Sequence, residues 1–239
     1  MLSQNEQKIL VANTAIDTLI EEKKIFSGMK IGLGTGSTAL PAVKRLAERI
    51  ADGTLKDIEA VPTSFQTANY CQDLDIPVYS LNHRSIGGHL DLTIDGADAV
   101  DPQNNLIKGG GAALLREKIV AYNSTNYAIV ADGSKIVPNL GTKFPLPVEI
   151  IAEARASIIT ALERLGATCT LREGVRKCGP VITDCGNQIL DCLWQIPVDP
   201  VKMEDAINGI PGVVETGFFT KHRPVVFFSK DDGTVEMRR

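Results

Sequence analysis

The chain has 239 residues, 44% hydrophobic and 23% charged, with a formal net charge of −4. That ordinary globular mixture, long enough to bury a core, excludes a disordered chain, a collagen-like fibre and a coiled-coil rod. The acidic balance and 5% aromatic content argue against nucleic-acid binding, and no apolar stretch approaches the ~20 residues of a membrane helix.

Residues 5–26 carry apolar side chains at helical spacing (Ile9, Leu10, Ala12, Ala15, Ile16, Leu19, Ile20) and predict a first helix. A strand is expected at 29–33, a helix at 39–50, a strand at 58–62, a helix at 64–74 and a strand at 76–81. Strands at 90–94 and 127–130 flank a helix at 112–122. Alternating strands and helices imply a parallel sheet with helices on both faces. After Pro145 and Pro147 the order becomes strand (148–151), helix (153–165), strands (168–171 and 181–193), helix (201–210) and strand (212–219). This is the split ferredoxin-like order. Strands at 225–229 and 234–237 flank an Asp232-Gly233 turn signal. The expected fold is thus α/β: a Rossmann-like catalytic domain at 1–144 and 218–239, and a smaller ferredoxin-like α+β domain at 145–217.

The five cysteines (Cys71, Cys169, Cys178, Cys185, Cys192) are odd in number, form no CxxC pair and follow no secretory signal. Reduced thiols in a cytoplasmic protein are expected, and no zinc site. His83, His89 and His222 are the only histidines and lie outside every motif below, so acid–base work falls to carboxylates and lysines.

Four motifs stand at expected strand ends. The stretch GTGST at 34–38 offers backbone amides and hydroxyls (Thr35, Gly36, Ser37, Thr38) where a helix begins, a setting for an anion. It matches neither the phosphate loop of nucleotide hydrolases nor a dinucleotide fingerprint, and a small phosphorylated ligand fits better. The bland alternative is a glycine turn with a hydroxyl capping the helix. DGAD at 95–98 supplies two acids, Asp95 and Asp98, with Gly96 and Ala97 between them; the alternative is an Asx-type turn with a solvated acid. KGGGAALLREK at 108–118 places Lys108 before Gly109, Gly110 and Gly111, a backbone that a ligand can approach closely. Glu117 has Ala113, Leu114, Val120 and Ala121 as its helical neighbours. A carboxylate on so apolar a face is desolvated, which raises its pKa toward that of a general base, although a half-exposed Glu paired from elsewhere remains open. DGSK at 132–135 brings Lys135, as a ligand group or as a surface turn. Together the motifs suit a metal-free proton transfer next to the carbonyl of a sugar phosphate.

GTGST, DGAD, KGGGAALLREK and DGSK at these spacings, with Leu140-Gly141 and Pro145–Glu149, resemble the ribose-5-phosphate isomerase A family over nearly the whole chain. The resemblance implies an aldose–ketose isomerase of the non-oxidative pentose phosphate pathway. It interconverts ribose 5-phosphate and ribulose 5-phosphate through a cis-enediol without a cofactor. It implies Glu117 as proton acceptor and Asp95 as the acid of ring opening or of proton transfer between the sugar oxygens. Asp98 and Lys108 would bind the sugar and hold the enediolate. Substrate-binding positions are Thr35–Thr38, Asp95–Asp98, Lys108–Gly111 and Lys135, with Lys8 near the phosphate. The family further implies a homodimer or homotetramer, with the second domain as lid and assembly surface. Ala99, Val100 and Leu115 depart from common residues beside the motifs. An amino-sugar phosphate deaminase is expected to need a motif histidine. A coenzyme A transferase needs a site for its carrier. A sugar-phosphate sensor usually has a DNA-binding segment in front, where this chain reads as one helix.

Overall fold

A computed structural model describes residues 2–230 and 232–239. Helix α1 (Gln4–Glu21) starts at a reciprocal cap: Ser3 accepts from the Glu6 amide, and the Glu6 carboxylate accepts from Ser3. Then follow β1 (Lys30–Leu33), α2 (Ala39–Ala51), β2 (Glu59–Pro62), α3 (Phe65–Asp73), β3 (Leu90–Gly96), β4 (Ala99–Val100), β5 (Leu106–Ile107), α4 (Leu114–Tyr122) and β6 (Ser124–Asp132). The second half contains β7 (Leu146–Ile150), α5 (Arg155–Arg164), β8 (Ala167–Leu171), β9 (Gln188–Trp194), α6 (Pro200–Asn208), β10 (Val213–Thr216), β11 (Phe218–Phe219), β12 (Val225–Ser229) and β13 (Val235–Arg238).

The chain divides into two compact units. The first comprises Met1–Gly96, Arg116–Lys135 and Pro224–Arg239; the second comprises Ala97–Leu115 and Ile136–Arg223. Against the expected boundaries, the second unit also takes in residues 97–115, 136–144 and 218–223. Strand pairing gives the reason: β4 pairs with β5, and β5 with β11, in a small three-stranded sheet.

The first unit is built on a six-stranded sheet of order β13-β12-β6-β3-β1-β2, parallel except for β13. Its strands alternate in facing. Ile31, Leu33, Leu92, Ile94, Ala128 and Val130 share a core with Val11, Ala15 and Ile16 of α1 and Val43 and Leu46 of α2. On the other face Thr93 meets α4, its hydroxyl 3.5 Å from the Val120 carbonyl. By the two-residue period, Asp95 faces the same way as Thr93. From β1 the chain leads to β2 on one side, while β3 lies on the other, so the order reverses at β1. In open parallel sheets, ligands bind beyond the carboxyl ends of the strands at such a reversal.

The second unit's larger sheet is antiparallel, of order β10-β7-β9-β8, crossed by α5 and α6 in the ferredoxin-like order expected. Its core gathers Leu146, Val148, Ile158, Leu190, Trp194, Ile207 and Phe218.

Four expected elements differ. The strand expected at 181–193 is confined to β9, from Gln188, because residues 183–187 form a turn in which the Gly186 amide donates to the Thr183 carbonyl and the Thr183 amide to the Asn187 carbonyl, each at 2.9 Å. Residues 76–81 contribute one isolated bridge, Val78 with Ala60, rather than a strand; Pro77 has no amide to extend a ladder. Helix α4 starts at Leu114 rather than 112, because Ala112 sits in the left-handed region at φ 58°. The stretch at 212–219 splits at Gly217 into β10 and β11, which join different sheets. Among the described residues, no helix is long and apolar enough to cross a membrane, and no group of three or more His, Cys, Asp or Glu side chains is arranged to hold a metal ion.

Candidate active site

In the first unit, the loop after β1 meets the end of β3. A Cβ at Gly34 would lie 2.0 Å from Asp95 Oδ1 and 2.6 Å from Asp95 Cα, so glycine is what lets these strand ends close up. The Asp95 carboxylate is fully buried, not solvated as in a plain Asx turn. Its Oδ1 accepts from the Thr35 amide (3.1 Å) and the Gly96 amide (2.7 Å), which fixes the carboxylate plane.

The Thr35 hydroxyl lies 2.7 Å from Thr63 Oγ1, 2.7 Å from Ser64 Oγ and 3.1 Å from Thr67 Oγ1, and Thr67 in turn donates to the Gly34 carbonyl (2.9 Å). Thr63, Ser64 and Thr67 are buried. This hydroxyl cluster was not among the expected site residues. Its signal is Thr63-Ser64 directly after a strand. Ser64 also caps α3, accepting from the Thr67 amide at 3.1 Å.

Thr38 stands at the start of α2, yet the structure gives it no side-chain capping bond among the described residues. Ser37 Oγ accepts from Lys8 Nζ at 2.9 Å, so the lysine expected near the phosphate does reach the glycine loop.

Glu117 lies on α4, 4% exposed. It stands one turn before Val120, the residue that meets Thr93. The phenol of Tyr127, itself buried, is held well above its usual range, first by burial and then by the negative charges of Asp95 and Glu117 and by Tyr122. Two of the three expected carboxylates, Asp95 and Glu117, are thus within electrostatic reach of one buried hydroxyl. Lys135 stands half-buried on a 3₁₀ turn (Gly133–Lys135) after β6, where Asp132 accepts from the Ser134 amide (3.1 Å) and from its hydroxyl.

The second unit carries the remaining expected residues. Asp98 immediately precedes β4, its amide bonded to the Ile107 carbonyl at 2.9 Å. Asp98 Oδ2 accepts from the Gly110 amide at 2.7 Å. Lys108 is 2% exposed, its amide bonded to the Gly217 carbonyl (2.9 Å) and its ammonium 5.7 Å from the Phe219 ring centroid. Gly109 has φ 100°, and a Cβ there would strike Leu114 at 2.8 Å. The glycine run therefore turns the chain sharply between Lys108 and α4.

The first unit thus offers an anion-favouring loop, an oriented acid and a buried carboxylate, and the second an oriented acid and a buried lysine; groups of these kinds serve proton transfer on polyhydroxy substrates. Residues 59–233 match the family model described as ribose 5-phosphate isomerase A (phosphoriboisomerase A). The ribose-5-phosphate isomerase A of Treponema denticola is 58% identical over 98% of this chain and 99% of its own. That of Treponema pallidum is 54% identical over 99% and 94%. Among solved structures, ribose 5-phosphate isomerase A from Methanocaldococcus jannaschii is similar at TM-score 0.89 and 40% identity, covering 99% of this chain and 100% of that one. A D-ribose-5-phosphate isomerase in complex with phospho-erythronic acid is similar at TM-score 0.92 and 40% identity, covering 99% of both.

Proposed function

The chain belongs to the ribose 5-phosphate isomerase A family, and from that premise we propose that it interconverts D-ribose 5-phosphate and D-ribulose 5-phosphate with Glu117 as the base. In the open-chain aldose, Glu117 takes the proton from the second carbon. The electron pair of that C–H bond forms the double bond of a cis-enediolate, and Glu117 returns the proton to the first carbon. Asp95, its plane set by two amides, opens the ring or moves the proton between the two sugar oxygens. Lys108 stabilises the negative oxygen, and Asp98 binds a sugar hydroxyl. Thr35–Thr38, Gly96, Ala97, Gly109–Gly111 and Lys135 bind the remaining substrate, with Lys8 at the phosphate.

The observation that carries the assignment of the base is the burial of Glu117 on α4, within electrostatic reach of the same buried Tyr127 phenol as Asp95. The same reading includes a cytoplasmic homodimer or homotetramer, which light scattering after size-exclusion chromatography checks. Catalysis is tested by following ketose formation from ribose 5-phosphate with and without phospho-erythronic acid, the ligand of the similar solved structure. Turnover with competitive inhibition is expected. Absence of turnover in the folded protein contradicts the reading.

A further inference from the structure

The glycine run at 109–111 has no side chains with which to anchor itself. Its conformation is nonetheless specific: Gly109 and Ala112 both have positive φ, at 100° and 58°. Three consecutive glycines lose much conformational entropy when ordered, so something outside the run must hold it.

Arg172, the first residue after β8, does so. Its Nη1 donates to the Gly109 carbonyl at 2.9 Å and to the Gly110 carbonyl at 3.1 Å. The rest of the guanidinium is committed to Asp191 on β9, with Nε to Oδ2 at 2.8 Å and Nη2 to Oδ1 at 2.5 Å. This two-point pairing fixes the plane of the fork and so aims the remaining nitrogen. The Arg172 backbone is pinned on both sides: its amide donates to the Ile189 carbonyl and its carbonyl accepts from the Val181 amide, each at 2.9 Å. The pair is largely shielded, with side-chain exposures of 16% and 24%. The segment whose carbonyls Arg172 holds also presents the Gly110 amide to Asp98 Oδ2 at 2.7 Å. A continuous path thus runs from Asp191 through Arg172 and the Gly109–Gly110 peptide to Asp98.

We infer that Arg172, oriented by Asp191, is a positioning residue for isomerisation: it holds the Lys108–Gly111 segment and, through the Gly110 amide, the Asp98 carboxylate. The inference rests on the reading that Lys108, Asp98 and the glycine run act on the substrate. Arg172 touches no reacting atom in this account. Its effect is read in turnover and in the order of the 108–112 segment.

The test compares Arg172→Ala, Arg172→Lys and Asp191→Asn with the unaltered protein. Readouts are thermal unfolding, hydrogen exchange of the 108–112 peptide, and kcat and KM measured separately. Faster exchange at 108–112 is expected in all three. In Arg172→Ala, kcat should fall about tenfold to a hundredfold, as expected of groups displaced by an ångström, and more than KM rises. Arg172→Lys should recover part of the loss, because an ammonium reaches the carbonyls but cannot also fork onto Asp191. If Arg172→Ala fails to fold, the other two variants carry the comparison. Unchanged exchange at 108–112 in folded variants overturns the inference, whatever the activity. Faster exchange with unchanged kcat also overturns it, and locates the failure in the assignment of the glycine run to the site.

Discussion

Asp95 and Glu117 are both buried carboxylates, but their surroundings differ. Asp95 receives two backbone amides on one oxygen, which suits an oriented acid that stays in place. Glu117 sits on an otherwise apolar helical face one turn before Val120, which suits a group that gains and loses a proton. Glu117→Gln keeps the shape and removes the carboxylate proposed as the base. It should lower kcat by about 10²–10⁴-fold with little change in KM, read by steady-state kinetics on a variant shown to fold. Near-native turnover would move the base elsewhere. These two acids were legible in the sequence because each sits in a local motif: DGAD for one, an apolar helical neighbourhood for the other. The partners of Thr35 were not, since Thr63, Ser64 and Thr67 meet it only when β1 and β2 pair. Arg172 was illegible for the same reason, with more than sixty residues of chain between it and Gly109.

At the level of elements, α4 begins just after a strained residue. Ala112 lies in the left-handed region just before the helix, a conformation that costs an L-residue roughly 1–2 kcal/mol. Ala112→Gly should relieve that cost, offset partly by glycine's greater freedom when unfolded, for a net gain of about 0.5–1 kcal/mol in chemical denaturation. A loss of stability would mean that the alanine methyl makes a contact worth more than the strain. Strand β7 carries a buried carboxylate of its own. Burial pushes Glu149 above its usual range, partly countered by hydrogen bonds from Asn187 (2.9 Å) and Thr183 (2.8 Å); the charge of Glu215 raises it further and the Leu115 amide lowers it. A carboxyl with a raised folded pKa binds more protons folded than unfolded between the two values. Its contribution is therefore full below the unfolded pKa of about 4.5 and is lost as pH rises through the folded one. Unfolding temperature against pH should show this component, and Glu149→Gln should remove it; an unchanged profile in the variant would assign the dependence to other groups. Most elements were legible from periodicity. The exceptions are two-residue strands (β4, β5, β11), too short to show a pattern; residues 76–81, where an apolar run containing Pro77 ends as a single bridge; and residues 181–187, where the expected strand gives way to a turn before β9.

Over the whole molecule, the chain passes between its two compact units four times, at 96/97, 115/116, 135/136 and 223/224. Three of those crossings fall within or beside the DGAD, KGGGAALLREK and DGSK motifs. Sequence order made the change of pattern after Pro145 visible but not the membership of residues 97–115, because that depends on β5 pairing with β11, Ile107 with Phe218 and Leu106 with Phe219, far along the chain. All the chemistry assigned here uses carboxylates, lysines and backbone amides. Exhaustive chelation should therefore leave activity intact, and activity lost to a chelator and restored by added metal would contradict that assignment. Isotope exchange reads proton transfer by Glu117 most directly. The chelator-treated protein and Glu117→Gln are incubated with ribose 5-phosphate in heavy water and followed by NMR. Ribulose 5-phosphate carrying deuterium at the first carbon is expected, with both turnover and exchange largely lost in the variant. Substrate binding without turnover or exchange, or a variant that exchanges as fast as the unaltered protein, would contradict it.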